Sequence, residues 1–191
     1  DIHTTIDINL QDVAETSLYH AMKRHNADEG TVVVMEVKTG HIKAISNLSS
    51  DGHGEYYEKF NHAVGGSFEP GSTFKLVTMM ALLEDTNLEL SDSINTGNGE
   101  FTFYNRKVRD HHDGGFGKIS VQQSFELSSN VAMAKLTDKY FGTKPSKFIE
   151  HIDRLKLSKP LGLQITGEAY PKITRPTDKD WSGITLPWMA Y

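Results

Sequence analysis

Phe68-Glu69-Pro70-Gly71-Ser72-Thr73-Phe74-Lys75 is the stretch on which the reading of this chain turns. It runs on into Leu76, Val77, Met79, Met80, Leu82 and Leu83, a pattern apolar nearly all round, which predicts a buried helix over about residues 72–84 at the centre of the fold. Pro70-Gly71 marks the turn ahead of it. Ser72 and Lys75 stand three apart, so hydroxyl and amine share one face about a turn apart and can share a proton. A serine hydroxyl becomes a nucleophile when a base takes its proton, and burial can leave a lysine neutral enough to serve. The N–H of Ser72, in the first turn, points where an oxyanion would form. With fifteen serines in the chain, about one Ser-x-x-Lys is expected by chance, and one is found. Placement behind Pro-Gly at the head of an apolar helix carries the reading.

On the C-terminal side, Thr96-Gly97-Asn98-Gly99 precedes a small ribbon over residues 101–108, and Asp113-Gly114-Gly115-Phe116-Gly117 forms a turn-rich loop. Ser120-Val121-Gln122-Gln123 fits a capping box and starts a short helix to about Leu127. A second helix covers 131–141 and stops at Gly142, taken as a left-handed C-terminal residue. Ser128-Ser129-Asn130 lies in the break between the two, where side chains project into a cleft. A second Ser-x-Asn, Ser93-Ile94-Asn95, reads as solvated turn residues. A third helical segment over 147–155 precedes an irregular tail with Pro160, Pro171, Pro176 and Pro187.

On the N-terminal side, residues 47–71 read as a polar loop. Before them, 31–37 and 41–46 form a hairpin around Lys38-Thr39-Gly40. An amphipathic helix runs to about His25, capped by Asp7 or Asn9, and residues 3–7 read as a short strand. His111-His112-Asp113 reads as a solvated loop, since nothing at metal-ligand spacing accompanies it. Trp181 and Trp188 read as core or docking anchors for a C-terminal part outside this chain, and Glu69 as part of the approach to the helix.

Composition sets the outer bounds. Lys+Arg 20 against Asp+Glu 25 gives a net charge of -5 without a basic block, which excludes a phosphate-tracking nucleic-acid binder. No apolar run approaches the roughly 18–20 residues of a membrane-spanning helix. Cys 0 excludes disulfides, thiolate metal sites and a cysteine nucleophile. The length of 191 residues first suggests one large domain, while the hydrophobic fraction of 37% and the Asp1 start suggest a chain cut from a longer one.

The run 68–75 resembles the active-site segment of class B penicillin-binding proteins, the monofunctional peptidoglycan transpeptidases. Three other stretches resemble the same family in its own order: Thr5 to Gln11 the opening of the catalytic domain, Val33 to Ala44 its first hairpin, and Ile119 to Ala132 its Ser-x-Asn helix pair. The details look more like the septal, cell-division type. The resemblance implies an α+β fold of the penicillin-binding protein transpeptidase and serine β-lactamase-like kind. It also implies that this fold is incomplete, residues 1–191 being the N-terminal and central part of one catalytic domain without the C-terminal strands and helix. The family's Lys-Thr-Gly should follow the Ser-x-Asn element on a cleft-lining strand, whereas Lys38-Thr39-Gly40 precedes the serine and belongs to a turn.

Carried over residue by residue, the resemblance makes Ser72 the acylated nucleophile and Lys75 its general base. Ser128 becomes the proton relay to the leaving D-alanine, and Asn130 the amide that binds the donor stem peptide. It implies no metal and no organic cofactor. The implied partners are peptidoglycan stem peptides, β-lactams and, in the full-length protein, cell-division or cell-wall synthesis proteins, with no nucleic acid. The implied location is the outer, periplasmic face of the cytoplasmic membrane, anchored by an N-terminal helix outside this chain. With one wall of the cleft missing, weak or no turnover is expected of the chain as it stands. The alternatives are a serine β-lactamase or β-lactam sensor domain, and a non-catalytic envelope scaffold.

Overall fold

The Asp7 carboxylate accepts from the Asn9 and Leu10 N–H groups and so caps α1 (Ile8–His25), buried along Ala14, Leu18 and Met22. The structure, a computed structural model, describes residues 3–191. Its chain forms two compact units, Asp1–Phe68 with Pro160–Tyr170 and Glu69–Lys159 with Pro171–Tyr191.

In the first unit β1 (Glu29–Met35) pairs antiparallel with β2 (Ile42–Ser50), as the hairpin pattern predicts, and α1 packs on both. Gly40 turns the hairpin at φ +74, and its N–H donates to Glu36 O. Residues 3–7 form no strand. Asp7 N–H donates once to Lys43 O, and beyond it the Gln11 side-chain amide bonds the Ile45 N–H and C=O, taking the place of a ladder. The segment from 47 onward is less of a loop than its polarity suggests. β2 continues to Ser50, β3 (Tyr56–Tyr57) pairs with its end, and α2 (His62–Gly65) follows. Buried Asn47 explains this, because its Oδ1 accepts from Thr31 Oγ1 and Ala63 N inside the unit, so a polar residue occupies a core position.

The second unit packs its helices and two short strand pairs around a main core cluster and a smaller one. A 3₁₀ turn (Gly71–Phe74) leads into α3 (Lys75–Asp85). The expected helix therefore starts as 3₁₀ at Ser72, and α geometry begins at Lys75. Nor is α3 buried all round: Leu76 is 55% exposed, while Lys75, Thr78, Met79, Ala81 and Leu82 face inward. β4 (Ser93–Asn95) pairs with β7 (Lys118–Ser120), so Ser93-Ile94-Asn95 is a strand where a loop was expected, with Ile94 packed against the main core cluster. β5 (Glu100–Phe103) and β6 (Arg106–Arg109) make the expected ribbon.

α4 (Val121–Glu126) carries the expected capping box, both reciprocal bonds being present between Ser120 and Gln123. Ser120→Ala should cost about 1 kcal/mol of stability, read as a lower urea midpoint at unchanged slope. α5 (Asn130–Phe141) ends without a left-handed glycine, since Gly142 is right-handed at φ -56 and its N–H still donates to Asp138 O. The stop comes from Pro145, first residue of α6 (Pro145–Arg154), which drives Lys144 out of the helical region. The tail is not wholly irregular, because α7 (Thr185–Met189) packs on α5 and places Pro187 in its first turn, where no N–H is needed. Trp188 lies edge-on to Phe103 at 6.4 Å between centroids, and Trp181 packs on the main core, so both tryptophans anchor this unit itself. Among the described residues no helix is long and apolar enough to cross a membrane.

Candidate active site

Gly71, at φ +58, makes the left-handed step from Pro70 into the 3₁₀ turn, a backbone that side chains rarely tolerate. Ser72 follows on the exposed side of that turn, and Lys75 opens α3 with its side chain directed inward, 2% exposed. On the facing elements, Ser128 is left-handed at φ 53 in the break between α4 and α5, and Asn130 is the first residue of α5. All four sequence-derived residues therefore meet at one point, within the second unit.

Lys75 Nζ is the hub. It donates to Ser128 O at 2.7 Å, Ser128 Oγ at 2.9 Å and Asn130 Oδ1 at 2.6 Å, and lies 3.1 Å from Ser72 Oγ. Ser128 Oγ is also 3.3 Å from Ser72 Oγ, so the two hydroxyls and the amine form a closed triangle. Asn130 Nδ2 donates to Arg109 O at 2.8 Å, which fixes the amide with its oxygen toward the lysine. An ammonium has three protons for these four acceptors; a neutral amine has two protons and a lone pair that Ser72 Oγ–H can meet.

Burial pushes the Lys75 amine down to about 8, against which the negative charge of Asp110 acts upward. At pH 7 about one lysine in ten is then neutral, against about 3 in 10⁴ at the ordinary value near 10.5. Asp110, just after β6, is the participant that sequence reasoning missed. Its carboxylate accepts from Ser129 Oγ and from Val131 N–H, both at the head of α5. The signal available was weak: a capping serine at 129 ahead of an apolar run, with nothing in the spacing to point nineteen residues back.

The residues set aside stay outside the hydrogen-bond network around Ser72. Asn95 O accepts from Lys135 Nζ, and its Oδ1 from Gly97 N–H. Lys38-Thr39-Gly40 is a hairpin turn in the first unit. His111 and His112 are exposed beside the Phe116 ring, and among the described residues no group of three His, Asp or Glu could hold a metal ion. Glu69 is exposed and lines a cleft of about 730 Å³ with Gly71, Phe74, Lys172, Trp188 and Tyr191.

A serine whose hydroxyl meets a buried, part-neutral amine and a second serine can perform acyl transfer through a serine ester. The chain as a whole has known relatives. Residues 30–184 match the family model described as penicillin binding protein transpeptidase domain, and the chain belongs to that family. It is 30% identical over 145 residues to the probable peptidoglycan D,D-transpeptidase PenA of Neisseria gonorrhoeae, an alignment that covers 73% of this chain and 24% of the relative. With the peptidoglycan D,D-transpeptidase FtsI homolog of Mesostigma viride it shares 28% over 180 residues, 85% of this chain and 29% of the other. The chain thus spans 24% and 29% of the length of these two relatives. Among solved structures, the TP domain of Burkholderia pseudomallei penicillin-binding protein 3 superposes with a TM-score of 0.81 at 26% identity, over 98% of this chain and 52% of that one. The fold is accordingly the α+β fold of penicillin-binding protein transpeptidase domains.

Proposed function

We propose that this chain is the N-terminal and central part of a peptidoglycan D,D-transpeptidase catalytic domain, with Ser72 as the acylated residue. The observation that carries the reading is the 3.1 Å approach of Ser72 Oγ to a lysine 2% exposed and lowered to about 8. Neutral Lys75 takes the Ser72 proton as Oγ bonds the penultimate carbonyl of a D-Ala-D-Ala terminus. The tetrahedral intermediate collapses, the peptide C–N bond breaks, and the leaving D-alanine nitrogen takes its proton from Lys75 through Ser128 Oγ. The amine of a second stem peptide then attacks the ester, loses a proton to the site, and frees Ser72. Asn130 contributes a second N–H and a second oxygen lone pair toward the donor peptide beyond those used by Arg109 O and Lys75.

Penicillins, which imitate the acyl-D-Ala-D-Ala terminus, acylate the same serine in this reading. The work belongs at the outer face of the cytoplasmic membrane, where the stem peptides are, and in the septal, cell-division setting, alongside other wall-synthesis proteins. A β-lactamase would need a group free to activate water against the ester. The carboxylate that acts on Lys75, Asp110, is already held by Ser129 and Val131. Incubation with a fluorescent penicillin should give a slowly formed, persistent adduct of one penicillin per chain, mapped by peptide mass spectrometry to Ser72. An adduct on another residue, none after prolonged excess, or rapid release of hydrolysed penicillin refutes the proposal.

A further inference from the structure

Ser128 holds a left-handed backbone without being glycine, which persists only where its surroundings over-determine it. The neighbours that do so converge on one carboxylate. Asp110 Oδ1 and Oδ2 accept from Ser129 Oγ at 3.0 and 3.1 Å, and Oδ1 also accepts from Val131 N–H at 3.0 Å. Ser129, fully buried, in turn accepts from Ala132 N–H at 3.0 Å. Two unpaired N–H groups in the first turn of α5 are thus satisfied by Asp110 and Ser129 together, and the carboxylate sits at the end of the helix that favours negative charge. Asp110 is itself tied back, its N–H donating to Gly99 O at 2.9 Å, and the preceding residue's carbonyl, Arg109 O, receives Asn130 Nδ2 at 2.8 Å.

We propose that Asp110 is a positioning residue of the Ser72 site: it locks the Ser128–Asn130 turn against Lys75 and supplies a negative charge that acts on the Lys75 amine. The inference rests on the acyl-transfer reading of that site. The two halves of the role pull in opposite directions. The lock brings the Ser128 hydroxyl and carbonyl and the Asn130 oxygen to within 2.6–2.9 Å of Nζ. The charge favours the ammonium, which is the form that cannot accept the serine proton. Ser72, Ser128 and Asn130, the side chains bonded to Nζ, are uncharged, and the charge that acts on it is that of Asp110, just after β6. The site therefore gives up some of the neutral amine at pH 7 for a fixed geometry, and this predicts two separable defects.

Asp110→Asn keeps an oxygen that accepts from Ser129 and Val131 and removes the charge. Ser129→Ala keeps the charge and the Val131 N–H bond to Asp110 but removes the Ser129 part of the lock. Two measurements separate them: the rate of acylation by a fluorescent penicillin against pH, and the titration of Lys75 followed by NMR in protein labelled with ¹³C at lysine Cε. In Asp110→Asn both midpoints should fall below that of the wild type by about half a unit or more, so that the rate at pH 6.5, relative to its own plateau, rises about threefold. In Ser129→Ala the midpoint should stay and the plateau rate should fall about tenfold. Unchanged midpoints in Asp110→Asn overturn the charge half, and an unchanged plateau in Ser129→Ala overturns the lock. If Asp110→Asn does not fold, an unchanged plateau in Ser129→Ala still overturns the positioning role. If the wild type is never acylated, the acyl-transfer reading fails, while the Lys75 titration still reports on Asp110.

Discussion

Lys75→Met lowers the rate of acylation of Ser72 by a penicillin by roughly 10²–10⁴-fold, the loss expected when a general base is removed from a serine nucleophile. Methionine is unbranched and of similar reach, so it occupies the channel between α3 and the head of α5 that the lysine stem now fills. What disappears is the lone pair 3.1 Å from Ser72 Oγ. In the wild type the same rate should rise with pH and level off above about 8, because the reactive form is the neutral amine. In the variant that limb should vanish.

The linkage also predicts what happens to stability. The folded amine titrates at about 8 and the unfolded one near the ordinary 10.5, so between those values the unfolded chain binds more protons and stability rises with pH. Below about pH 8 the buried ammonium costs on the order of 3 kcal/mol, which Lys75→Met relieves. The relief is offset because Ser128 O and Asn130 Oδ1 lose their donor. The thermal midpoint at pH 7 should therefore lie within a few degrees of the wild type or above it. A variant that stays folded and acylates within tenfold of the wild type would show that Lys75 is not the base. One that unfolds would show that the ammonium is structural.

The meeting of the candidate site residues was more legible than the architecture around them, and for a physical reason. Ser72 and Lys75 are joined by helical spacing, which a sequence shows directly, and the Ser128–Asn130 break is marked by a capping box on one side and an apolar run on the other. Asp110 was invisible, because its bonds to Ser129 and Val131 cross from a ribbon to a helix and leave no periodicity. The same blindness explains the segment beyond residue 47, where a buried Asn47 and a Ser49–His62 hydrogen bond replace the apolar alternation that marks a strand. It also explains Gly142, where glycine suggested a left-handed cap and Pro145 supplied the stop. Local propensity was readable; side-chain bonds between distant elements were not.

Phe148→Ala destabilises the second unit by about 3–5 kcal/mol, a large part of the stability of any domain this size. Phe148 is fully buried on α6, its ring 5.5 Å from that of Phe141 at the end of α5, within the cluster that also holds Leu82, Leu136 and Ile152. Truncation removes apolar surface from water exclusion and leaves a space that three helices would have to close by moving. They are not free to close it, since α6 is pinned to the C-terminal end of α3 by His151 Nδ1 and Arg154 on Asp85, at 2.9 and 2.7 Å. The opposite end of α3 holds Lys75, so a shift of the helix is felt at the serine. Chemical denaturation should show a lower midpoint for the variant. At temperatures where it is still folded, acylation of Ser72 should slow by more than the unfolded fraction accounts for. Loss of stability with an unaltered rate per folded molecule would show instead that the core and the site are mechanically independent.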